Sequence, residues 1–348
     1  MVCMGIRPTS LTSLEDLMAK HWEALPSGWQ DTGALDRMKI FCRQMPPLSG
    51  VGVERELGST DEPVAISLRL LQSDIGSSAF AGEWEGWTYP DAYLANEKWQ
   101  AFRHFCRFWG RHAFTKLGHM PVAWLEVDGT ELMKVVPDPC FFYGLERIQR
   151  DALLASNFLS EAHEVLTGEA LSAPWLTALK GHLSGQPEVI ERCWIGYMLS
   201  RPAKGIRLTV YLNRAKIEGL FTSLGQKPPV ALERLFEPLN VGARLMVHLD
   251  CTEITAPRIG IEVPLIGLTV FQSYVRSELI TGDEAIGLLK WGGVSPTCTK
   301  VEDIRSKSLQ PNEKNEPVWV RKPSHLKFVF QPNRIQIKAY LYVGFGWN

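Results

Sequence analysis

Gln336-Ile337-Lys338-Ala339-Tyr340-Leu341-Tyr342-Val343, near the C-terminus, alternates polar and apolar side chains with almost no error. Successive side chains of a strand point to opposite faces. The stretch is therefore a strand with one oily face and one face carrying Lys338, Tyr340 and Tyr342. Four other regions repeat the theme, each as two such strands in a hairpin, with helical sequence between hairpins. In the first, Gly52, Glu54 and Glu56 share a face opposite Val51 and Val53. Its returning strand sets Val64, Ile66, Leu68 and Leu70 against Ala65, Ser67 and Arg69. The second joins 122–128, with Trp124, Glu126 and Asp128 on one face, to 140–145. The third joins 192–201 to 206–212, where Arg207, Thr209 and Tyr211 oppose Ile206, Leu208, Val210 and Leu212. The fourth joins 244–251 to 258–265. Arg244, His248 and Asp250 oppose Leu245, Val247 and Leu249, and Arg258 and Glu262 oppose Ile259, Ile261 and Val263. The fifth joins 325–331 to the opening stretch and adds Lys327 to its polar face.

Between hairpins the spacing becomes helical. Thr12-x-x-Glu15 has the form of a capping box and opens a short helix with Leu14, Leu17, Met18 and Leu25 on one side. A second helix is read over 34–43. After a Gly/Ser-rich loop, residues 91–116 predict a long helix, with Phe102, Phe105, Cys106, Trp109 and Ala113 on one stripe. Further helices are predicted around 155–166, 217–224, after Pro228-Pro229, and over 270–291. The polar segment 292–323 reads as a mobile loop, and 1–48 as a helical lead-in to a single barrel domain spanning 1–348.

Antiparallel hairpins separated by amphipathic helices require a sheet with its helices on one face. Closing ten strands removes both edges, packs the apolar strand faces under the helices and turns the polar faces into a lumen. An open sheet would instead expose Trp124, Tyr211, Tyr340 and Tyr342 in one patch of a kind that soluble monomers avoid. The expected fold is of the α+β class: a closed ten-stranded antiparallel β-barrel with helices outside.

Bulk composition excludes several function classes. The 348 residues are 45% hydrophobic, enough for a sizeable core, and 37 Lys and Arg balance 38 Asp and Glu, so no bulk charge draws the chain to nucleic acid or a membrane surface. The seven cysteines are scattered without ligand spacing and read as reduced, mostly buried thiols. With neither a signal-peptide pattern nor a membrane span in the sequence, a cytoplasmic location is expected. The twelve tryptophans are read first as packing between helices and sheet, and second as pocket lining.

Hairpins with Glu on the first strand, Arg69 on the second, Arg207-x-Thr209-x-Tyr211 on the sixth and Lys338-x-Tyr340-x-Tyr342 on the tenth resemble the αββα-repeat (ABBA) prenyltransferases, over roughly 50–348. That group includes aromatic, indole and peptide prenyltransferases. The resemblance implies transfer of a prenyl group from an allylic diphosphate, dimethylallyl or geranyl, to an aromatic small molecule or a peptide side chain, as in secondary metabolism. It implies diphosphate contacts from Arg69, Arg207, Arg244, Arg258, Lys327 and Lys338. Tyr211, Tyr340, Tyr342 and Trp124 would shield the allylic cation, with Glu126 among the substrate contacts. Glu54 or Glu56 would hold the acceptor and take its proton, and Glu126 is a further option as base. The fourth strand offers no cation and the eighth offers Glu262, both departures from the family pattern.

Each residue also has a plainer reading. Charged residues on one strand face often form cross-strand ion pairs with no ligand. Asp128 and Asp250 sit at strand ends, where capping a turn is the first reading and Mg²⁺, used by some of the resembled group, the second. No cofactor is required by the sequence, and His248 reads as a satisfied barrel residue before a base. The competing function is a non-catalytic barrel that binds a hydrophobic or peptide ligand, favoured if buried carboxylates outnumber cations near the lumen centre. A phosphatase ranks below both, because no phosphate loop or nucleophile elbow is present.

Overall fold

The computed structural model describes residues 13–22, 25, 29, 32–57, 63–72, 74–112, 120–184, 186–201, 206–223, 227–239, 243–251, 259–264, 274, 318–330 and 335–346. The strands are β1 (Gly50–Glu56), β2 (Ala65–Leu71), β3 (Val122–Val127), β4 (Cys140–Gln149), β5 (Val189–Tyr197), β6 (Ile206–Asn213), β7 (Arg244–Cys251), β8 (Ile259–Pro264), β9 (Val318–Phe330) and β10 (Ile335–Gly346). Each pairs with its neighbour in sequence, and β1 pairs with β10 to close the barrel. Every pairing is antiparallel.

The alternation of each strand decides which face is covered. Leu68, Leu125, Phe141, Tyr143, Ile195, Leu208, Val247, Ile261 and Phe328 are almost fully buried on the outer face. Helices α1 (Leu14–Trp22) and α2 (Thr32–Arg43) precede the barrel, and α5 (Glu97–His112) packs across it. Phe102 and Phe105 of α5 meet Phe141 edge-on at 5.0 and 4.6 Å, and Phe105 stacks on Tyr143 at 5.2 Å. Two of the buried indoles, Trp99 and Trp109, keep their N–H groups bonded. Trp99 Nε1 donates to the Pro137 carbonyl and Trp109 Nε1 to that of Met120, both at 2.8 Å.

Several helix boundaries differ from the sequence reading. The helix expected over 91–116 is two, α4 (Asp91–Leu94) and α5, because Asn96 interrupts it and its Oδ1 accepts the amides of Lys98 and Trp99 as an N-cap. The Gly/Ser-rich stretch after β2 is not all loop. It contains α3 (Ile75–Ala81), where Gly76 lies so close to Leu48 and the Pro47 carbonyl that no Cβ fits, and Gly82, at φ 75°, ends the helix. The helix read around 155–166 is α7 (Phe158–Thr167); α6 (Arg150–Ala155) before it and α8 (Ala173–Ser184) after it were not expected. α9 (Arg214–Ser223) and α10 (Ala231–Phe236) match expected helices. The last hairpin is longer than its alternation indicated. β9 already begins at Val318, so 318–323 is strand rather than loop, while 292–317 and most of the helix read over 270–291 lie outside the described residues. A bulge opposite Tyr340–Leu341 breaks the alternation there and admits Pro323.

Phe105 is the wedge between α5 and the barrel wall. Phe105→Ala is expected to lower unfolding free energy by about 3–5 kcal/mol, read from the urea midpoint. A loss below about 1 kcal/mol would contradict the wedge role.

Candidate active site

The register brings the inward-facing charges of distant strands side by side. Lys338 lies directly across from Glu56 on one side and Lys327 on the other, and Lys327 across from Glu262. Arg207 faces Asp250, and Thr209 faces His248. Such neighbours interact at side-chain length. Arg207 grips Asp250 with Nε and Nη2 at 2.6 and 3.0 Å, a two-pronged pair. Lys338 donates to Glu54 at 2.5 Å, and Lys327 lies 3.2 Å from Glu262.

Glu262 is the hub of a buried cluster. His248 Nε2 is 2.6 Å from its Oε1 and His325 Nε2 is 3.5 Å from its Oε2. Lys327 Nζ reaches His248 Nδ1 at 3.4 Å, and Thr209 Oγ1 is 3.0 Å from the same nitrogen. Lysine only donates, so Nδ1 accepts and the ring proton belongs on Nε2. That N–H points off the line to the carboxylate despite the short distance. Burial lowers the His248 pKa to about 4, with Glu262 opposing and Lys327 adding to the fall, so the ring is neutral near pH 7. Burial alone would raise Glu262, but His248, His325 and Lys327 pull it well below the usual carboxylate range.

Two inward-facing carboxylates, Glu54 and Glu126, are held in opposite states. Burial would raise Glu54, yet the charges of Lys338 and Lys327 and hydrogen bonds from Lys338 and Tyr340 bring it to about 2. Burial and the Glu54 charge push Glu126 up to about 7, against the pull of Lys327 and Arg207. Environments that drive two acids apart in this way are a frequent mark of acid–base sites.

These groups border a cavity of about 250 Å³ inside the barrel. Trp124, Glu126, Tyr211, Lys327, Tyr340 and Tyr342 of the sequence-predicted set line it. Arg207, Lys338 and Glu54 are not among its lining residues and are held in the pairs described above. Arg69 donates to Tyr342 Oη at 2.7 Å, and Gly50 leaves space for that phenol, since a Cβ there would meet its oxygen at 2.5 Å. Glu56 is separate from the cluster, bonded by Gln336. Arg244 is exposed and lies over the Tyr211 ring at 5.9 Å. Arg258 lies outside the described residues. The Asp250 carboxylate is engaged by Arg207, while the turn it was expected to cap lies outside the described residues, and Asp128 accepts from Ser200 Oγ at 3.1 Å. Among the described residues no group of three ligating side chains is placed to hold a metal ion.

Some lining residues escaped the sequence reading. Trp194 and Arg192 face inward on β5, where the alternation of Cys193, Ile195 and Tyr197 could have exposed them. Phe142 on β4 had the same signal. His325, stacked on Tyr340 with centroids 4.0 Å apart, turns inward together with Ser324 at the β9 bulge, which simple alternation does not foresee.

No protein-family model matches the chain, and no curated protein matches it in sequence. Solved structures do match in fold. NotF in complex with brevianamide F and DMSPP superposes with a TM-score of 0.54 at 9% identity, covering 97% of each chain. AnaPT from Neosartorya fischeri gives 0.50 at 12% identity, covering 97% of this chain and 95% of that one. The chain has the ABBA prenyltransferase barrel fold. Among the described residues no helix is long and apolar enough to cross a membrane.

The Arg207–Asp250 pair offers a direct check on the electrostatics. Asp250→Asn strands a buried guanidinium and is expected to destabilise the protein by about 3–5 kcal/mol. Replacing both residues by leucine is expected to recover much of that loss in urea titrations. A double variant as unstable as the single one would contradict the pairing argument.

Proposed function

We propose that the lumen transfers a prenyl group from an allylic diphosphate, dimethylallyl or geranyl, to an aromatic or peptide nucleophile. One observation carries the reading. Lys327 and Lys338 face each other across the β9–β10 pairing in a closed barrel, beside Tyr340 and Glu54. Arg207, Lys327 and Lys338, with Arg69, would neutralise the diphosphate. Breaking the C–O bond leaves its electron pair on the diphosphate and an allylic cation on the prenyl group. The faces of Tyr340, Tyr342, Trp124 and Tyr211 would stabilise that cation by about 0.5–2 kcal/mol per contact and exclude water. The acceptor attacks, forms the new bond and gives up a proton.

In this reading the two carboxylates take different tasks. Glu54, held near 2 and tied to Lys338 and Tyr340, is a weak base suited to orienting the acceptor. Glu126, near 7, is matched to accept the proton at neutral pH. Glu56, engaged by Gln336, has the smaller claim.

A second reading has its own support. Arg207, Lys327 and Lys338 each already have a carboxylate within 3.2 Å, so charge is balanced before any diphosphate enters. That balance suits a non-catalytic barrel for a hydrophobic or peptide ligand. Incubation with both prenyl diphosphates and a panel of tryptophan, tyrosine, small phenols and peptides separates the two, because only the first reading expects a prenylated product by mass spectrometry.

Arg207→Ala and Lys338→Ala are each expected to weaken prenyl diphosphate binding by about 1.5–3 kcal/mol in titration calorimetry. Unchanged affinity in both would move the anion elsewhere. Transfer by the parent should rise with pH through about 7 as Glu126 loses its proton. Glu126→Gln should flatten that rise and slow transfer by about 10²–10⁴, whereas an unaltered profile would remove Glu126 from the role of base.

A further inference from the structure

The ion pairs of the lumen leave one carboxylate over. Arg207 is matched by Asp250, Lys327 by Glu262, Lys338 by Glu54 and, towards the rim, Arg192 by Glu146 at 2.6 Å. Glu126 lines the cavity opposite Ser67 and Cys140, and among the described residues it has no hydrogen-bond or ion-pair partner. Lys327 and Arg207 act on it only through the field, and each has its own counterion.

The surroundings of Glu126 are aromatic. Trp124, two residues away on the same face, meets the Tyr342 ring edge-on at 6.1 Å. Phe142 lies directly across from Trp124, and Trp194 continues the wall on β5. The wall is shaped by glycine: a Cβ on Gly144 would meet the Trp194 ring at 2.9 Å, and Gly196 lies beneath Phe142. Aromatic faces attract cations, and a carboxylate adds charge-assisted hydrogen bonds. A neutral ligand would use the rings and leave the carboxylate without a counterion.

We infer that the lumen binds an aromatic ligand bearing a cationic amine, with the ammonium against Glu126 and the ring among Trp124, Phe142 and Trp194. This holds whether that ligand is the acceptor of a prenyl group or the cargo of a silent barrel. Binding is therefore measured with no diphosphate present, so its outcome is independent of the transfer assays.

Phenethylamine and 2-phenylethanol share a ring and chain and differ in charge, which makes them suitable probes for titration calorimetry on the full chain. At about pH 8.5, where Glu126 is ionised and the amine protonated, the amine is expected to bind roughly tenfold or more tighter. The groups facing Glu126 are Glu54 on β1, Tyr340 on β10, Lys327 on β9, Arg207 on β6, Cys140 on β4 and, on its own hairpin, Asp128. Of the three carboxylates only Glu126 is raised towards neutrality; Glu54 is held down, and Asp128 is bonded by Ser200. The preference should therefore fade as pH is lowered to about 5.5. Glu126→Gln should bind both probes about equally at the higher pH. The pH series on the unaltered protein decides the matter even if that variant folds poorly. Equal affinity for the two probes at high pH, no binding of the amine, or a preference that survives at low pH or in Glu126→Gln overturns the inference.

Discussion

A closed sheet has no edge and one interior, and this protein fills that interior with charge. Lys327, Glu262 and His248 are nearly inaccessible to water and Arg207 is partly buried, and each depends on a partner supplied by the neighbouring strand. Taking such groups out of water is expensive, and a packed apolar lumen would generally be as stable or more so. The register is therefore tightly specified. A one-residue slip of β10 against β9 would send Lys338, Tyr340 and Tyr342 into the oily layer under the helices and bring Ile337, Ala339 and Leu341 to the lumen. The outer aromatic layer, in which Phe105 interlocks with Phe141 and Tyr143, fixes α5 against β4 on the covered side of the sheet.

The charge pairing also shapes the chemistry. Glu54 stays ionised because two lysines and a phenol favour its anion over the penalty of burial. That fixed charge then helps to push Glu126 the other way. Two carboxylates on the inner face of one barrel thus acquire different capacities without differing in type, one as a permanent acceptor of hydrogen bonds and one as a group that exchanges a proton near neutrality.

Much of this could be read from residue order. The hairpin reading located all ten strands, though β5, read over 192–201, is Val189–Tyr197, and alternation assigned the inward faces of Glu54, Arg69, Arg207, Lys327 and Lys338 correctly, because a sheet buried on one side imposes that alternation. It failed where the backbone departs from regular pleating. His325 and Ser324 both turn inward at a bulge, and the start of β9 at Val318 lies in polar sequence with no alternation to mark it. Pairing was harder still. Most strands showed a charge on their inner face, but that Asp250 meets Arg207, or that Glu54 rather than Glu56 joins the central cluster, depends on register between strands far apart in sequence. The short helix α3 was hidden by small residues whose purpose is close approach to 47–48, a tertiary need that local propensity cannot display.

The account stands or falls on what occupies the lumen. The most direct measurement is a crystal structure of the protein with a thio-analogue of dimethylallyl diphosphate that binds but ionises slowly. The diphosphate is expected among Lys327, Lys338 and Arg207, with the prenyl tail against Tyr340 and in line with the space beside Glu126. An analogue bound outside the barrel, or a lumen whose ion pairs persist undisturbed at saturating analogue, would contradict it.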